Sequence, residues 1–299
     1  MQHDERSGLL LAISGFALLS VGDAVIKSMA GAWSPLAVAA LRFAIGAVGL
    51  AILLLVREGP SAFLPRNPRL QLGRGAALAG ATLCFFSAIF VMPLAETMAI
   101  TFMGPIFVAL LSGPLLGEKV RREVWLACAM GVIGVSLVLR PNLAALGWFA
   151  LLPLASAFFF ALMVIANRAS AGQGSPLSMQ FFIAAWALPF LLVATWLGDL
   201  SGSSFLDVGM PREDVVLRSA IVALTASTAH WLAYLGTTRA GAATIAPMTY
   251  VQMLVATLLG YLIFGDMPDL LTLAGAAIII AAGLFLWMRT PSAPVAMRR

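Results

Sequence analysis

Ser34-Pro35-Leu36 returns as Ser175-Pro176-Leu177, and the pair decides how this chain is built. The copies stand 141 positions apart, nearly half of the 299 residues, and both punctuate sequence that is otherwise almost continuously apolar. They point to a membrane protein made of two related halves. If each half has an odd number of spans, the second half enters the bilayer from the opposite side, an arrangement used to build transporters.

Composition supports a bilayer setting. The chain is 61% hydrophobic and 10% charged, with a mean hydropathy of +0.99, whereas a soluble domain carries about 25% charged residues. The net charge of +5 reads as cationic loops on one membrane face. No aromatic-plus-basic stripe argues for nucleic acid. Cys84 and Cys128 both lie in apolar runs with no metal or redox spacing, so they are expected to be packing residues. The N-terminus leads into an apolar run that outlasts a signal peptide and shows no cleavage site, which makes it the first span.

A spanning helix takes roughly 20 apolar residues. Ten segments meet that demand, near 8–30, 35–57, 74–92, 95–116, 122–139, 146–168, 176–198, 215–238, 241–264 and 268–288. The fold class expected is therefore an all-α membrane protein of ten transmembrane helices in two inverted five-helix repeats. Residues 1–141 form the first repeat, 142–290 the second, and 291–299 a cytoplasmic tail. With the N-terminus inside, thirteen of the eighteen Lys and Arg residues fall at inside ends and loops, among them Arg57, Arg66, Arg69, Arg121, Arg239, Arg289, Arg298 and Arg299. Only Lys27, Arg140, Arg212 and Arg218 fall outside, and Arg42 is intramembrane. This bias places both termini in the cytoplasm. The loop from Asp199 to Asp214 is acidic and falls outside.

The register of the repeat extends beyond Ser-Pro-Leu. At the same offset Lys27 matches Arg168, and Leu10-Leu11 matches Leu151-Leu152. After the longer loop near 200–214 the offset becomes 148. Gly117-Glu118 then matches Gly265-Asp266, Ala95 matches Ala243, Thr101 matches Thr249, and Phe102 matches Tyr250. These residues resemble the drug/metabolite transporter superfamily, EamA type, whose members have two five-helix repeats, each with a Gly-Glu-like turn before a Gly-rich fifth helix. The resemblance covers nearly the whole chain. Within the superfamily the chain looks most similar to exporters of aromatic and other amino acids. It departs from the pattern in Asp266, which replaces Glu, and in Ala127, which stands where the second half has Gly275.

Polar groups deep in a span are costly and mark candidate sites. On the eighth span, His230 and Tyr234 share a helical face at i, i+4 beside Trp231. Their partners on the third span are Thr82 and Phe86. Thr249, Tyr250 and Gln252 on the ninth span match Thr101 and Phe102 on the fourth. Together they are expected to line one substrate cavity around the pseudo-two-fold axis. Aromatic walls suit an amphipathic solute and attract ammonium groups, while Thr, Gln and His satisfy a carboxylate or amide. The competing reading, for Trp231 above all, is helix packing. Histidine as a residue type can titrate near neutral pH, which by itself does not establish proton coupling. Asp23 and Lys27 are spaced i, i+4 and read either as an outer gate or coupling site, or as a structural ion pair joined by Arg42. Glu96 reads as a helix-dipole partner, and Glu118 and Asp266 as turn or capping groups. Pro105 and Pro114 interrupt the fourth span, Pro153 the sixth, Pro189 the seventh and Pro247 the ninth, as kinks in rocking or statically curved helices. Gly131, Gly134, Gly275 and Gly283 permit close packing.

No H-E-x-x-H zinc motif is present, and the two histidines are His3, in a tail, and His230 in a span, so neither an enzyme nor a metal or cofactor site is expected. Gly113–Lys119 has the wrong spacing for a nucleotide loop, and the few buried charges build no channel ring. The expectation is a secondary transporter or facilitator in a bacterial inner membrane. It handles a small molecule, foremost amino acids for export; import or exchange of a nucleoside-like or riboflavin-like metabolite is the alternative.

Overall fold

The computed structural model describes residues 2–117, 122–170, 172–240 and 246–289. Glu118, Lys119, Arg121, Ala243 and the segment 290–299 lie outside the described residues, as does the side chain of Tyr234. Among the described residues the chain is helical, with no strand. The helices are α1 (Gln2–Lys27), α2 (Pro35–Glu58), α3 (Pro68–Val91), α4 (Leu94–Thr101), α5 (Gly104–Leu116), α6 (Arg122–Leu146), α7 (Leu152–Ala169), α8 (Pro176–Leu200), α9 (Glu213–Ala240), α10 (Tyr250–Leu259) and α11 (Leu270–Arg289). Seven stretches are long and apolar enough to cross a membrane, and the shorter apolar helices Trp125–Arg140, Tyr250–Phe264 and Leu270–Phe285 supply the remaining spans.

Local chemistry sets the boundaries. Pro35, Pro68 and Pro176 open α2, α3 and α8, where a missing N–H removes no helical bond. The Asn67 side chain accepts from the Leu70 N–H at 3.2 Å, and Ser175 Oγ from the Ser178 N–H at 3.0 Å, so each satisfies an otherwise unpaired first-turn donor. The repeat-matched Gly117 and Gly265 end the fourth and ninth spans in nearly identical left-handed conformations, φ 72° and 70°, which favour glycine.

The two central spans are broken at matching places. The fourth divides into α4 and α5 at Phe102-Met103, with Pro105 opening α5. The ninth runs as a 3₁₀ turn (Ala246–Thr249), then α10, then a π turn (Gly260–Phe264). The prolines are not repeat-matched, yet both breaks fall beside the matched pair Phe102 and Tyr250. Pro153 opens α7 rather than interrupting it, because a 3₁₀ turn (Gly147–Leu151) precedes that helix.

Helix packing repeats under a shift of five spans. α1 packs on α9, as α7 packs on α3; α1 packs on α10, as α7 packs on α4 and α5. α2 against α8, α6 against α11, and α4 against α10 are their own counterparts. One buried cluster, including Ile26, Val38, Ile89 and Leu191, lies among α1, α2, α3, α8 and α9. A second, including Ile100, Ile106, Val138 and Ile279, lies among α4, α5, α6 and α11. Glycine lets backbones meet: a Cβ on Gly275 would stand 2.6 Å from the Gly134 carbonyl oxygen.

Candidate functional site

The apolar stretch of α1 runs from Arg6 to Lys27, and these residues mark the two ends of the bundle. At the Lys27 face, Lys27 Nζ donates to Asp266 Oδ2 and, at 3.1 Å, to the Met92 carbonyl. It also stands 4.9 Å from the centroid of the Phe264 ring. Asp266 Oδ2 accepts from the Leu94 N–H at 3.4 Å. The turn acid thus ties the ninth span to the ends of α1 and α3 and the start of α4. Trp33 Nε1 donates to the Val208 and Gly209 carbonyls, and Arg218 Nη1 donates to the Ser28 carbonyl at 3.0 Å, so the loop before α9 is bound to the same end.

The expected Asp23–Lys27 pair gives way to different partners. Lys27 reaches Asp266 on another helix, while Asp23 Oδ2 accepts from Gln252 Nε2 at 3.1 Å. Between α1 and the ninth span, each charged group gains a partner across the helix interface. Arg42 does not join them in an ion pair. Asp23 acts on it electrostatically without an ion pair among the described residues, and its guanidinium carbon lies 4.9 Å and 5.7 Å from the ring centroids of Phe43 and Phe86.

Arg42 instead lines a half-open cavity of about 110 Å³. Its walls come from α2 (Arg42, Phe43, Leu50), α3 (Leu78), α8 (Gln180, Ile183, Ala184) and α9 (Ala226, Ser227, His230). The repeat register pairs Arg42 with Ile183, Phe43 with Ala184, and Leu78 with Ala226. Matched positions from both halves thus face one space. His230 Nδ1 is 2.6 Å from the Ala226 carbonyl. A neutral ring therefore carries its proton on Nδ1, leaving Nε2 as an acceptor.

Among the described candidate side chains, His230 and Arg42 line this cavity, with Phe86 beside Arg42. Thr82 is buried, and Trp231 lies outside the lining and is 58% exposed. Phe102 and Tyr250 stack at a centroid separation of 5.2 Å and an interplanar angle of 35°, where the fourth and ninth spans meet. Thr101 Oγ1 donates to the Met98 carbonyl in its own helix. Thr249 belongs to this second locus, and Gln252 bridges it to Asp23. Sequence reasoning passed over Gln180 and Ser227. The signal for Gln180 was available: an amide standing alone in the apolar run of α8.

The other end is tied differently. Ser175 Oγ donates to the Glu58 carboxylate at 2.7 Å, Arg239 Nη1 donates to Ser7 Oγ at 2.7 Å, and Arg74 Nε donates to Asn167 Oδ1 at 2.7 Å. The repeat counterpart of Ser175–Glu58 is Ser34–Asp199 at the Lys27 face, and that contact is not made. Ser34 Oγ is buried without a hydrogen-bond partner, and Asp199 Oδ1 accepts from the Val208 N–H at 2.9 Å. Two sequence-equivalent connections therefore stand in different states.

Comparison with known proteins agrees with this architecture. The family model described as the EamA-like transporter family matches twice, over residues 6–140 and 147–288. A pseudopaline exporter of Pseudomonas aeruginosa is 29% identical over 93% of this chain and 94% of its own. A riboflavin transporter of Rhizobium johnstonii is 26% identical over 78% and 74%, and an S-adenosylmethionine uptake transporter of Rickettsia prowazekii is 23% identical over 94% and 92%. A solved crystal structure shares the fold at a TM-score of 0.61 and 22% identity, covering 96% of this chain and 100% of that one.

Proposed function

Since this chain belongs to the EamA-like transporter family, we propose that it is a secondary transporter or facilitator that exports amino acids or similar small metabolites by alternating access. It sits in the bacterial inner membrane with both termini in the cytoplasm. The observation that carries this reading is the cavity walled by matched positions of both halves. Rocking one repeat against the other exposes such a cavity to each side in turn. The broken fourth and ninth spans supply backbone able to bend at matched depths. Lys27–Asp266 closes the outer face, and breaks when that face opens. Substrate occupies the space beside Arg42 and His230, while Phe102 and Tyr250 form the aromatic contact the repeats pivot on. Asp23 and His230 are the groups through which a proton would couple to flux.

The second reading is import or exchange of a riboflavin-like or nucleoside-like metabolite. It is supported by relatives named as a riboflavin transporter and an S-adenosylmethionine uptake transporter. Proteoliposomes loaded with labelled amino acids, nucleosides or riboflavin separate the two. Amino-acid flux above empty liposomes supports the first reading. Flux of riboflavin or nucleosides alone supports the second, and acceleration by an imposed pH gradient supports proton coupling. His230→Ala lowers flux with folding intact; unchanged flux removes His230 from the site.

A further inference from the structure

Arg42 has a charge with no bonded counterpart among the described residues. A guanidinium offers five N–H donors, and a cation set about two turns inside a span, as Arg42 is in α2, is costly unless something satisfies it. Among the described residues Arg42 makes no hydrogen bond and no ion pair; its close contacts are the rings of Phe43 and Phe86. Asp23 feels its charge but is bonded to Gln252. Packing alone does not demand a cation here. The repeat-equivalent position is Ile183, which faces the same cavity with an aliphatic side chain. The charge is thus an asymmetry between matched wall positions, and it shares the lining with the polar groups of Gln180, Ser227 and His230.

We propose that Arg42 is the substrate-binding residue that recognises a carboxylate, and that the transported solutes are small amphipathic carboxylates whose apolar part lies against Leu50, Leu78 and Ile183. Phe43 and Phe86 hold the planar guanidinium by cation–π contact, so its fork is oriented before substrate arrives. A carboxylate then takes two parallel N–H···O bonds from it. This inference rests on the transport reading, since it names what that cavity selects.

The test uses four matched solutes: leucine, leucinamide, 4-methylpentanoate and 4-methylpentanamide. Each is assayed for flux in proteoliposomes and, separately, for thermal stabilisation of the purified protein in detergent. The acids are expected to bind roughly tenfold to a hundredfold more tightly than their amides, the range of a charge-assisted bond removed from a desolvated site. Arg42→Gln is expected to abolish that preference. Arg42→Lys keeps the charge without the fork and retains part of it, and serves as the folded control if Arg42→Gln does not fold. Equal binding of acids and amides by the natural protein, or an acid preference that survives Arg42→Gln, overturns the carboxylate site and leaves transport standing. Acid-specific stabilisation without flux overturns the transport reading and leaves the site standing. Neither flux nor stabilisation by any of the four overturns both.

Discussion

Asp266→Asn tests whether the tie at the Lys27 face is a gate or merely a brace. The Lys27 and Asp266 side chains are only 12% and 20% exposed, so the small value of a surface ion pair does not apply. Removing one partner of a fully buried pair costs about 3–5 kcal/mol. Lys27 here keeps the Met92 carbonyl and the Phe264 ring, and the residual exposure screens it, so about 1–3 kcal/mol is reasonable. If the pair exists only while this face is closed, the substitution removes that amount from the closed state alone. A shift of about 2 kcal/mol changes the closed-to-open ratio roughly 30-fold. The assay is labelling of Met92→Cys, a position 2% exposed behind the tie, by a membrane-impermeant thiol reagent after Cys84 and Cys128 are replaced by Ala. Labelling should accelerate by about tenfold or more in Asp266→Asn, and similarly in Lys27→Gln. The double variant should add little, because the two residues act through one contact. Unchanged labelling in monodisperse protein would refute the gate and leave a static brace.

Three further outcomes follow from the geometry. Ser175→Ala removes both the Ser178 cap and the Glu58 tie and should lower thermal stability by about 0.5–2 kcal/mol, whereas Ser34→Ala deletes a hydroxyl with no partner and should be neutral or slightly stabilising. Gly275→Val drives a side chain into the Gly134 carbonyl, which as backbone cannot step aside; unfolding in detergent should show a loss of about 1–3 kcal/mol, larger than for Gly131→Ala, whose nearest neighbours are the mobile ends of Met103 and Ile106. Cysteines introduced at the exposed Ser61 and Ser203 should label from opposite sides in sealed cells, Ser203→Cys from outside; labelling of both from one side would contradict the span count.

The repeat was legible because each inverted half reuses the same turns at a fixed register. Gly117 and Gly265 required the same left-handed backbone, and that requirement was visible as two glycines 148 positions apart. Part of the site was legible for a similar reason: a histidine or arginine in an apolar span stands out against its neighbours. Which aromatic faced the cavity was not legible. Trp231 and His230 are adjacent in sequence, but a helix turns about 100° between them, and only His230 meets the cavity. Lys27 illustrates the same limit. Span parity put Asp266 at its end of the bundle, yet spacing along α1 favoured Asp23, four residues away.

Sequence by itself determined the membrane setting, the ten spans, the inverted duplication and the charged residues that had to be accounted for, because hydropathy, turn chemistry and register are local properties. Tertiary structure decided the partners. It sent Lys27 to Asp266, gave Asp23 to Gln252, left Ser34 unpaired while Ser175 was bonded, and turned Arg42 toward a shared space. These outcomes depend on which helices lie against one another, and burial at those interfaces makes the choice of partner costly to change.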